Sequence, residues 1–66
     1  MYGRDGCHLC EEMAAQLRAL RIPHDEIDVD TDPDLRLKYG RDVPVLVFGD
    51  FAVKHRLTPE AIAKLR

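Results

Sequence analysis

Apolar residues along this chain recur at two spacings, one typical of helices and one typical of strands. The first stretch has four residues at 3-4-3 spacing, which places them on one helical face: Cys10, Met13, Leu17 and Leu20. This spacing predicts an amphipathic helix from about residue 9 to residue 21. The helix is expected to end before Pro23, because the residue preceding a proline avoids helical geometry.

Two short elements are predicted between residues 24 and 40. Ile27 and Val29 alternate with acidic residues, which predicts a strand with both apolar side chains facing one way. Asp32 and Pro33 then form a helix start, as N-cap and first helical residue, and Gly40 ends this second helix.

The last part of the chain predicts a β-hairpin followed by a helix. Residues 43–48 are continuously apolar, residues 49–50 form a two-residue turn, and residues 51–53 return as the partner strand. Thr58 is the expected N-cap of the last helix, which has three candidate core residues: Ala61, Ile62 and Leu65.

The predicted order is β-α-β-α-β-β-α, an α/β fold in which helices flank a small mixed sheet, and residues 1–66 form a single domain. Only Met1, Tyr2 and Gly3 are available for the first strand. That strand is therefore predicted to be very short. Either the natural chain starts further upstream, or the domain tolerates the gap and is unusually soft.

Composition and charge exclude several classes of function. A net charge of −2, with no stripe of aromatic and basic residues, argues against a nucleic-acid partner. The longest apolar run, residues 43–48, is too short to span a bilayer, so no membrane partner is expected. No basic and apolar leader precedes the first motif, which favours a cytoplasmic protein, and we expect a monomer.

Cys7 and Cys10 are the only cysteines, and they frame the start of the first helix. Cys7 falls at or near the N-cap, where free backbone N–H groups and the helix dipole favour a thiolate. We expect the pKa of Cys7 below the ~8.5 of a free thiol and that of the inward-facing Cys10 above it. This arrangement suits dithiol–disulfide exchange, in which Cys7 attacks a substrate disulfide and Cys10 resolves the mixed disulfide.

Other interpretations of the cysteine pair stay open. A structural disulfide would close a very small ring, worth about 2 kcal/mol against about 3 kcal/mol for a 15-residue loop. A metal-binding or delivery module would need further ligands from the three histidines: His8, His24 and His55. A 12-residue helix is about 18 Å long, so His24, at the far end of the first helix, is expected to lie too far from Cys7 to share an ion, and no zinc site through it is predicted. His55 is expected on the cysteine side. The remaining possibility is a non-catalytic interaction domain.

Three segments resemble the glutaredoxin branch of the thioredoxin fold. Residues 2–10 are similar to the family's first strand and active-site loop, residues 27–30 to its second strand, and residues 43–45 to its cis-proline loop. The Cys-His-Leu-Cys form and the Tyr39-Gly40 helix end are most similar to small glutaredoxin-like proteins. The resemblance implies a thioredoxin/glutaredoxin-like fold, in which the short first strand is central, and a thiol–disulfide oxidoreductase.

The resemblance also implies a cis bond before Pro44, with Pro44 touching the Cys7 sulfur. Arg4 stands where the family's basic residue meets a substrate carboxylate. The residues expected to bind substrate are Arg4, His8, Arg41, Val43, Pro44 and Thr58. No resident cofactor is implied. Glutathione or another thiol reductant is the expected electron donor, and the partner is a disulfide-bearing protein or a low-molecular-weight thiol.

The chain departs from the family pattern at three places. His8 and Leu9 replace the proline and the aromatic residue usual between the cysteines, and a protonated His8 would further favour the thiolate. Asp42 replaces the threonine before the Val-Pro pair. Lys54 and His55 replace the paired glycines that admit the γ-glutamyl end of glutathione. Glutathione is therefore expected to bind weakly, with a millimolar or larger dissociation constant, whereas dithiol exchange is retained.

Overall fold

The computed structural model describes residues 1–66 and contains four strands and three α-helices. In chain order these are β1 (Tyr2–Gly3), α1 (His8–Ala19), β2 (Ile27–Asp28), a 3-10 turn (Val29–Thr31), α2 (Pro33–Tyr39), β3 (Val45–Phe48), β4 (Phe51–Lys54) and α3 (Pro59–Leu65). The predicted order β-α-β-α-β-β-α and the α/β class are confirmed. None of the three helices is long and apolar enough to cross a membrane.

The sheet is mixed, and its shortest strand is central. Its strand order is β2-β1-β3-β4. Tyr2 of β1 pairs with Ile27 of the parallel β2 and with Val45 of the antiparallel β3. The prediction of a very short central first strand is therefore confirmed. Met1, just before the strand, makes two further bonds. Its α-amino group donates to the Asp25 carbonyl, and the Met1 carbonyl accepts from the Ile27 N–H at 2.8 Å. These bonds extend the link to β2.

The core forms where α1 and α3 cover one face of the sheet. Seven of its eight buried residues come from α1, β3, β4 and α3, and the eighth, Met1, precedes β1. The eight are Met1, Cys10, Met13, Ala14, Leu17, Leu46, Val53 and Ala61. The predicted apolar face of α1 is confirmed for Cys10, Met13 and Leu17, whereas Leu20 is only half-buried. On the opposite face Val45 is buried, and Tyr39 of α2 stacks on Tyr2 with ring centroids 4.3 Å apart. Helices therefore lie on both faces of the sheet.

The second strand is shorter than predicted. It ends at Asp28, and Val29 begins the 3-10 turn. The Asp28 carboxylate accepts from the Asp30 N–H at 2.8 Å, and the Asp28 carbonyl accepts from the Thr31 hydroxyl at 2.7 Å. These local bonds compete with the strand ladder and turn the chain. The prediction that one strand contains both Ile27 and Val29 is wrong, because Val29 lies in the turn, where it is fully buried, whereas Ile27 in β2 is 39% exposed.

The first helix ends two residues earlier than the predicted boundary at residue 21, at Ala19. Its last turn is closed by two backbone bonds, from Ile22 N–H to the Leu17 carbonyl and from Arg21 N–H to the Arg18 carbonyl. This pair of bonds is the Schellman motif, whose C′ residue adopts the left-handed conformation. Here that residue is Arg21, with φ 58°.

The hairpin has the predicted register. Phe48 pairs with Phe51 across the turn, and Gly49 has φ 56°, the left-handed conformation that tight hairpin turns require. The strand β3 begins at Val45 rather than at residue 43, because Pro44 has no N–H to contribute to a ladder. At the start of α3, Thr58 is the N-cap as predicted, and Ala61 is fully buried.

Candidate active site

The candidate site begins at the N-terminus of α1, where Cys7 is the N-cap. Gly6, with φ 72°, turns the chain from β1 into this position. The Cys7 sulfur accepts a hydrogen bond from the Cys10 N–H at 3.1 Å. Cys7 is half-buried, whereas Cys10 is 5% exposed. The structure thus gives the two sulfurs different surroundings, one at the helix end and one in the core.

Cys7 and Cys10 are joined in a disulfide, with Cα atoms 5.2 Å apart. On its inner side the pair contacts β1, since a methyl group built on Gly3 would lie 3.2 Å from the Cys10 sulfur. Glycine at this position therefore lets the buried sulfur approach the strand backbone. Gly3 was not among the predicted site residues, although a glycine at the end of a predicted strand is a recognisable signal of close approach.

The proline loop lies at the same end of the sheet as the cysteines. Because β1 and β3 are antiparallel and Tyr2 pairs with Val45, Gly3 follows Tyr2 toward the end at which Pro44 precedes Val45. The Val43–Pro44 peptide bond is cis, as predicted. Val43 and Cys7 both pack against the edge of the core cluster. A direct contact between Pro44 and the Cys7 sulfur stays a prediction.

The Arg4 side chain is hydrogen-bonded to other groups of the same chain. Its guanidinium donates to both carboxylate oxygens of Asp30, at 2.9 and 3.2 Å, and to the Gly40 carbonyl at 3.1 Å. These bonds join the end of β1 to the 3-10 turn and to the end of α2. Arg4 was predicted to meet a substrate carboxylate, whereas in the structure its carboxylate partner is Asp30 of the same chain.

Two departures from the glutaredoxin pattern are in contact with each other. The Lys54 Nζ atom lies 3.2 Å from an Asp42 carboxylate oxygen. The next residue, His55, donates its backbone N–H to the Pro44 carbonyl at 2.8 Å and has φ 69°. His55 thus keeps the left-handed backbone that glycine adopts most easily.

The other predicted site residues are more dispersed. His8 is exposed and lies 3.0 Å from the Glu12 carboxylate, one helical turn away. Arg41 is exposed beside the proline loop. The Thr58 hydroxyl accepts from the Ala61 N–H at 3.1 Å, so it caps α3.

The third histidine, His24, lies among groups of its own segment. His24 contacts the Ile22 carbonyl at 3.2 Å and the Glu26 carboxylate at 3.3 Å. Within residues 1–66, no three His, Cys, Asp or Glu side chains cluster as metal ligands.

A mixed sheet flanked by helices, a Cys-x-x-Cys pair at the start of the first helix and a cis-proline at the start of β3 define a glutaredoxin-like protein of the thioredoxin-type fold. The family model for the glutaredoxin-like domain (DUF836) matches residues 1–65, and the chain belongs to this family. Searches of curated proteins and of solved structures found no significant match.

Proposed function

We propose that this protein is a thiol–disulfide oxidoreductase in which Cys7 attacks and Cys10 resolves. The observation that carries the proposal is the N–H of Cys10, which donates to the Cys7 sulfur at 3.1 Å at the start of α1. A hydrogen bond at contact distance stabilises an anionic sulfur more than a neutral one. Cys10 lies behind this sulfur, buried and one helical turn away.

The reaction has two thiol–disulfide exchange steps. The Cys7 thiolate attacks one sulfur of a substrate disulfide, forms a mixed disulfide, and releases the other half of the substrate, which takes up a proton. The Cys10 sulfur then attacks Cys7, releases the second substrate thiol, and leaves the Cys7–Cys10 disulfide. Two electrons pass from the protein to the substrate. A thiol reductant returns them by the reverse exchange.

Negative charge near the site opposes the thiolate, but the carboxylates are exposed to solvent or paired. Asp5 and Glu11 are exposed, Asp42 is paired with Lys54, and Glu12 is close to His8. Exposed carboxylates are screened by water and salt, whereas a backbone N–H bond to sulfur is not. We expect the helix N-terminus to prevail, so that Cys7 is a nucleophile at neutral pH.

We also propose an electron donor and a class of substrate. Glutathione or another thiol reductant supplies electrons, and the substrate is a protein disulfide or a small disulfide. Lys54 and His55 place side chains where paired glycines would admit glutathione, which supports weak rather than tight glutathione binding. A reducing cytoplasm is the compartment that suits this chemistry.

Steady-state disulfide reduction tests the proposal. The protein is supplied with hydroxyethyl disulfide or insulin, and with glutathione and thioredoxin reductase in turn as the electron source. We expect turnover with at least one donor, and its loss in Cys7→Ser. Absence of turnover with every donor, together with stoichiometric metal in anaerobically purified protein, would instead favour the metal-binding alternative.

A further inference from the structure

We propose that Asp30 is a positioning residue for the Cys7 thiolate and that it acts through Arg4. This inference rests on the proposed function, because it concerns the nucleophile of that reaction. It begins from the segment that connects β1 to Cys7 and from the groups that hold this segment in place.

The segment formed by residues 4–6 is not held by its own backbone. None of the backbone hydrogen bonds of the chain involves these three residues. Asp5 and Gly6 are exposed, and the segment borders a cavity of about 310 Å³ that is also lined by Gly3 and Cys10. The segment therefore runs along an open cavity rather than packing on the core, and its position depends on its side chains.

The Arg4 side chain makes the hydrogen bonds that hold this segment. Its guanidinium donates to both oxygens of the Asp30 carboxylate, at 2.9 and 3.2 Å, and to the Gly40 carbonyl at 3.1 Å. Two parallel bonds to one carboxylate fix direction as well as distance. Arg4 and Asp30 are 33% and 46% exposed, so the Coulombic energy of the pair is small. Its contribution to the site is the placement of the segment.

Asp30 is itself held by the turn that contains it. The Asp30 N–H donates to the Asp28 carboxylate at 2.8 Å, and the Thr31 hydroxyl donates to the Asp28 carbonyl at 2.7 Å. Asp28 is the last residue of β2 and pairs with Gly3 of β1. Arg4 thus joins the segment before Cys7 to a turn that the sheet holds in place.

The placement of Cys7 affects the pKa of its thiol. The Cys7 sulfur caps α1 by accepting from the Cys10 N–H at 3.1 Å, and Cys7 has φ −90° and ψ 109°. This bond favours the thiolate, and it needs the backbone of Cys7 in the capping position that residues 4–6 deliver. If the segment is released, the cap forms in a smaller fraction of molecules. Loss of the Asp30 carboxylate is therefore expected to raise the pKa of Cys7.

A direct effect of charge has the opposite sign. Asp30 is an anion, so its removal would favour the charged form of the Cys7 sulfur and lower its pKa. It would also free the positive Arg4 guanidinium, which acts in the same direction. The other charged groups of the surrounding segments stay constant when Asp30 is changed. They are the carboxylates of Asp5, Glu11, Glu12 and Asp42 and the cations His8, Arg41 and Lys54. The sign of the change therefore separates positioning from a direct charge effect.

Thiolate titration of the reduced Cys10→Ser chain tests this assignment. Thiolate absorbance is followed against pH with and without Asp30→Asn, which removes the carboxylate but keeps the backbone bond to Asp28. The acid dissociation constant of the Cys7 thiol is expected to fall about three- to tenfold, as for partial loss of a charge-assisted hydrogen bond. The pH midpoint of the reaction with hydroxyethyl disulfide should rise by the same factor, which a change in stability alone would not produce. Far-UV circular dichroism confirms that each variant is folded over the pH range used.

Arg4→Lys is a second variant that keeps the positive charge but cannot form the bidentate pair. It is expected to raise the pKa of Cys7 as Asp30→Asn does. The double variant should raise it no further, because either change alone releases the segment. If only the charge of Arg4 mattered, Arg4→Lys would leave the pKa at the value of the Cys10→Ser chain.

Asp34→Asn is the matched control, since it removes an exposed carboxylate from the neighbouring α2 that Arg4 does not contact. It is not expected to raise the pKa of Cys7. An unchanged or lower pKa in Asp30→Asn would overturn the assignment, as would an unchanged value in Arg4→Lys or an equal rise in Asp34→Asn. If Cys7 of the Cys10→Ser chain titrates at or above the value of a free thiol, the proposed function fails, and the role of Asp30 fails with it.

Discussion

At the scale of the residue, one atom has two structural roles. The Cys7 sulfur is the N-cap acceptor of α1 and the proposed nucleophile. Cysteine is not among the residues that usually cap helices, which are Ser, Thr, Asp, Asn and Gly. A thiolate is a stronger acceptor than a sulfur held in a disulfide, because the bond becomes charge-assisted. Reduction of the pair is therefore expected to strengthen the cap, which couples the redox state of the site to the stability of α1.

The two reduced thiols are expected to titrate differently. The pKa of Cys7 is expected below the ~8.5 of a free thiol, because of the Cys10 N–H bond and the helix N-terminus, and that of the buried Cys10 above it. Thiolate absorbance near 240 nm, followed against pH, measures each sulfur alone in Cys10→Ser and Cys7→Ser.

A Cys7 value at or above that of a free thiol would mean that the surrounding carboxylates dominate. It would also exclude a fast nucleophile at neutral pH. If alkylation at pH 7 modified Cys10 of the reduced chain before Cys7, the roles of attacker and resolver would be reversed.

At the scale of the element, the end of α1 contains a residue in an unfavourable conformation. Arg21 occupies the C′ position of the Schellman motif with φ 58°. A side chain in this left-handed region costs about 1–2 kcal/mol, which glycine avoids. The motif forms all the same, since its bonds satisfy carbonyls at the helix end and bring Ile22 against the core.

Arg21→Gly is expected to stabilise the domain by about 0.5–1 kcal/mol. Glycine removes the cost of a side chain at positive φ, and this gain exceeds the free-energy cost of the greater backbone entropy of glycine in the unfolded chain. Urea unfolding of the disulfide form measures the change. Arg21→Ala is the control, since it removes the same side chain but keeps the unfavourable conformation. Equal stabilities for the two variants would show that the left-handed backbone is not the source of the effect.

The link between Met1 and β2 predicts a pH dependence of stability. Burial lowers the pKa of the Met1 α-amino group below 8.0, against the raising effects of Asp25 and Glu26. In the window between the lowered value and 8.0, the unfolded chain therefore binds more protons than the folded chain. The free energy of unfolding of the 66-residue chain should rise with pH across this window.

Urea unfolding at several pH values, with and without N-terminal acetylation, isolates this effect. The acetylated chain has no α-amino group to titrate, so its stability should lack this rise. Identical pH slopes for the two chains would contradict the assignment.

The elements were predictable from the sequence where local chemistry decides them. Helix caps at Asp32 and Thr58 and the turn at residues 49–50 depend on near neighbours, and the structure confirms them. The end of β2 was not predictable from alternation, because the bonds of Asp28 override the strand pattern. The Arg4–Asp30 pair joins residues 26 positions apart, and Lys54–Asp42 depends on the sheet register. No local pattern encodes either contact.

At the scale of the whole molecule, the candidate site is assembled at one end of a very small sheet. The end of β1, the start of β3 and the end of β4 converge there, held by a central strand of two residues. Domains of this size bury only about 60% of the surface of the unfolded chain, so their stability is marginal. The bonds of Arg4 and of the Cys7 cap therefore serve the fold and the site together.

Trapping of the mixed disulfide tests the central claim most directly. Reduced Cys10→Ser is mixed with hydroxyethyl disulfide, and intact mass spectrometry follows the product. We predict one hydroxyethylthio group on Cys7 that persists, because the resolving sulfur is absent. Reduced Cys7→Ser should react far more slowly, and the unmodified chain should proceed to its internal disulfide. An unmodified Cys10→Ser, or faster labelling of Cys7→Ser, would contradict the assignment of Cys7 as the attacking thiol.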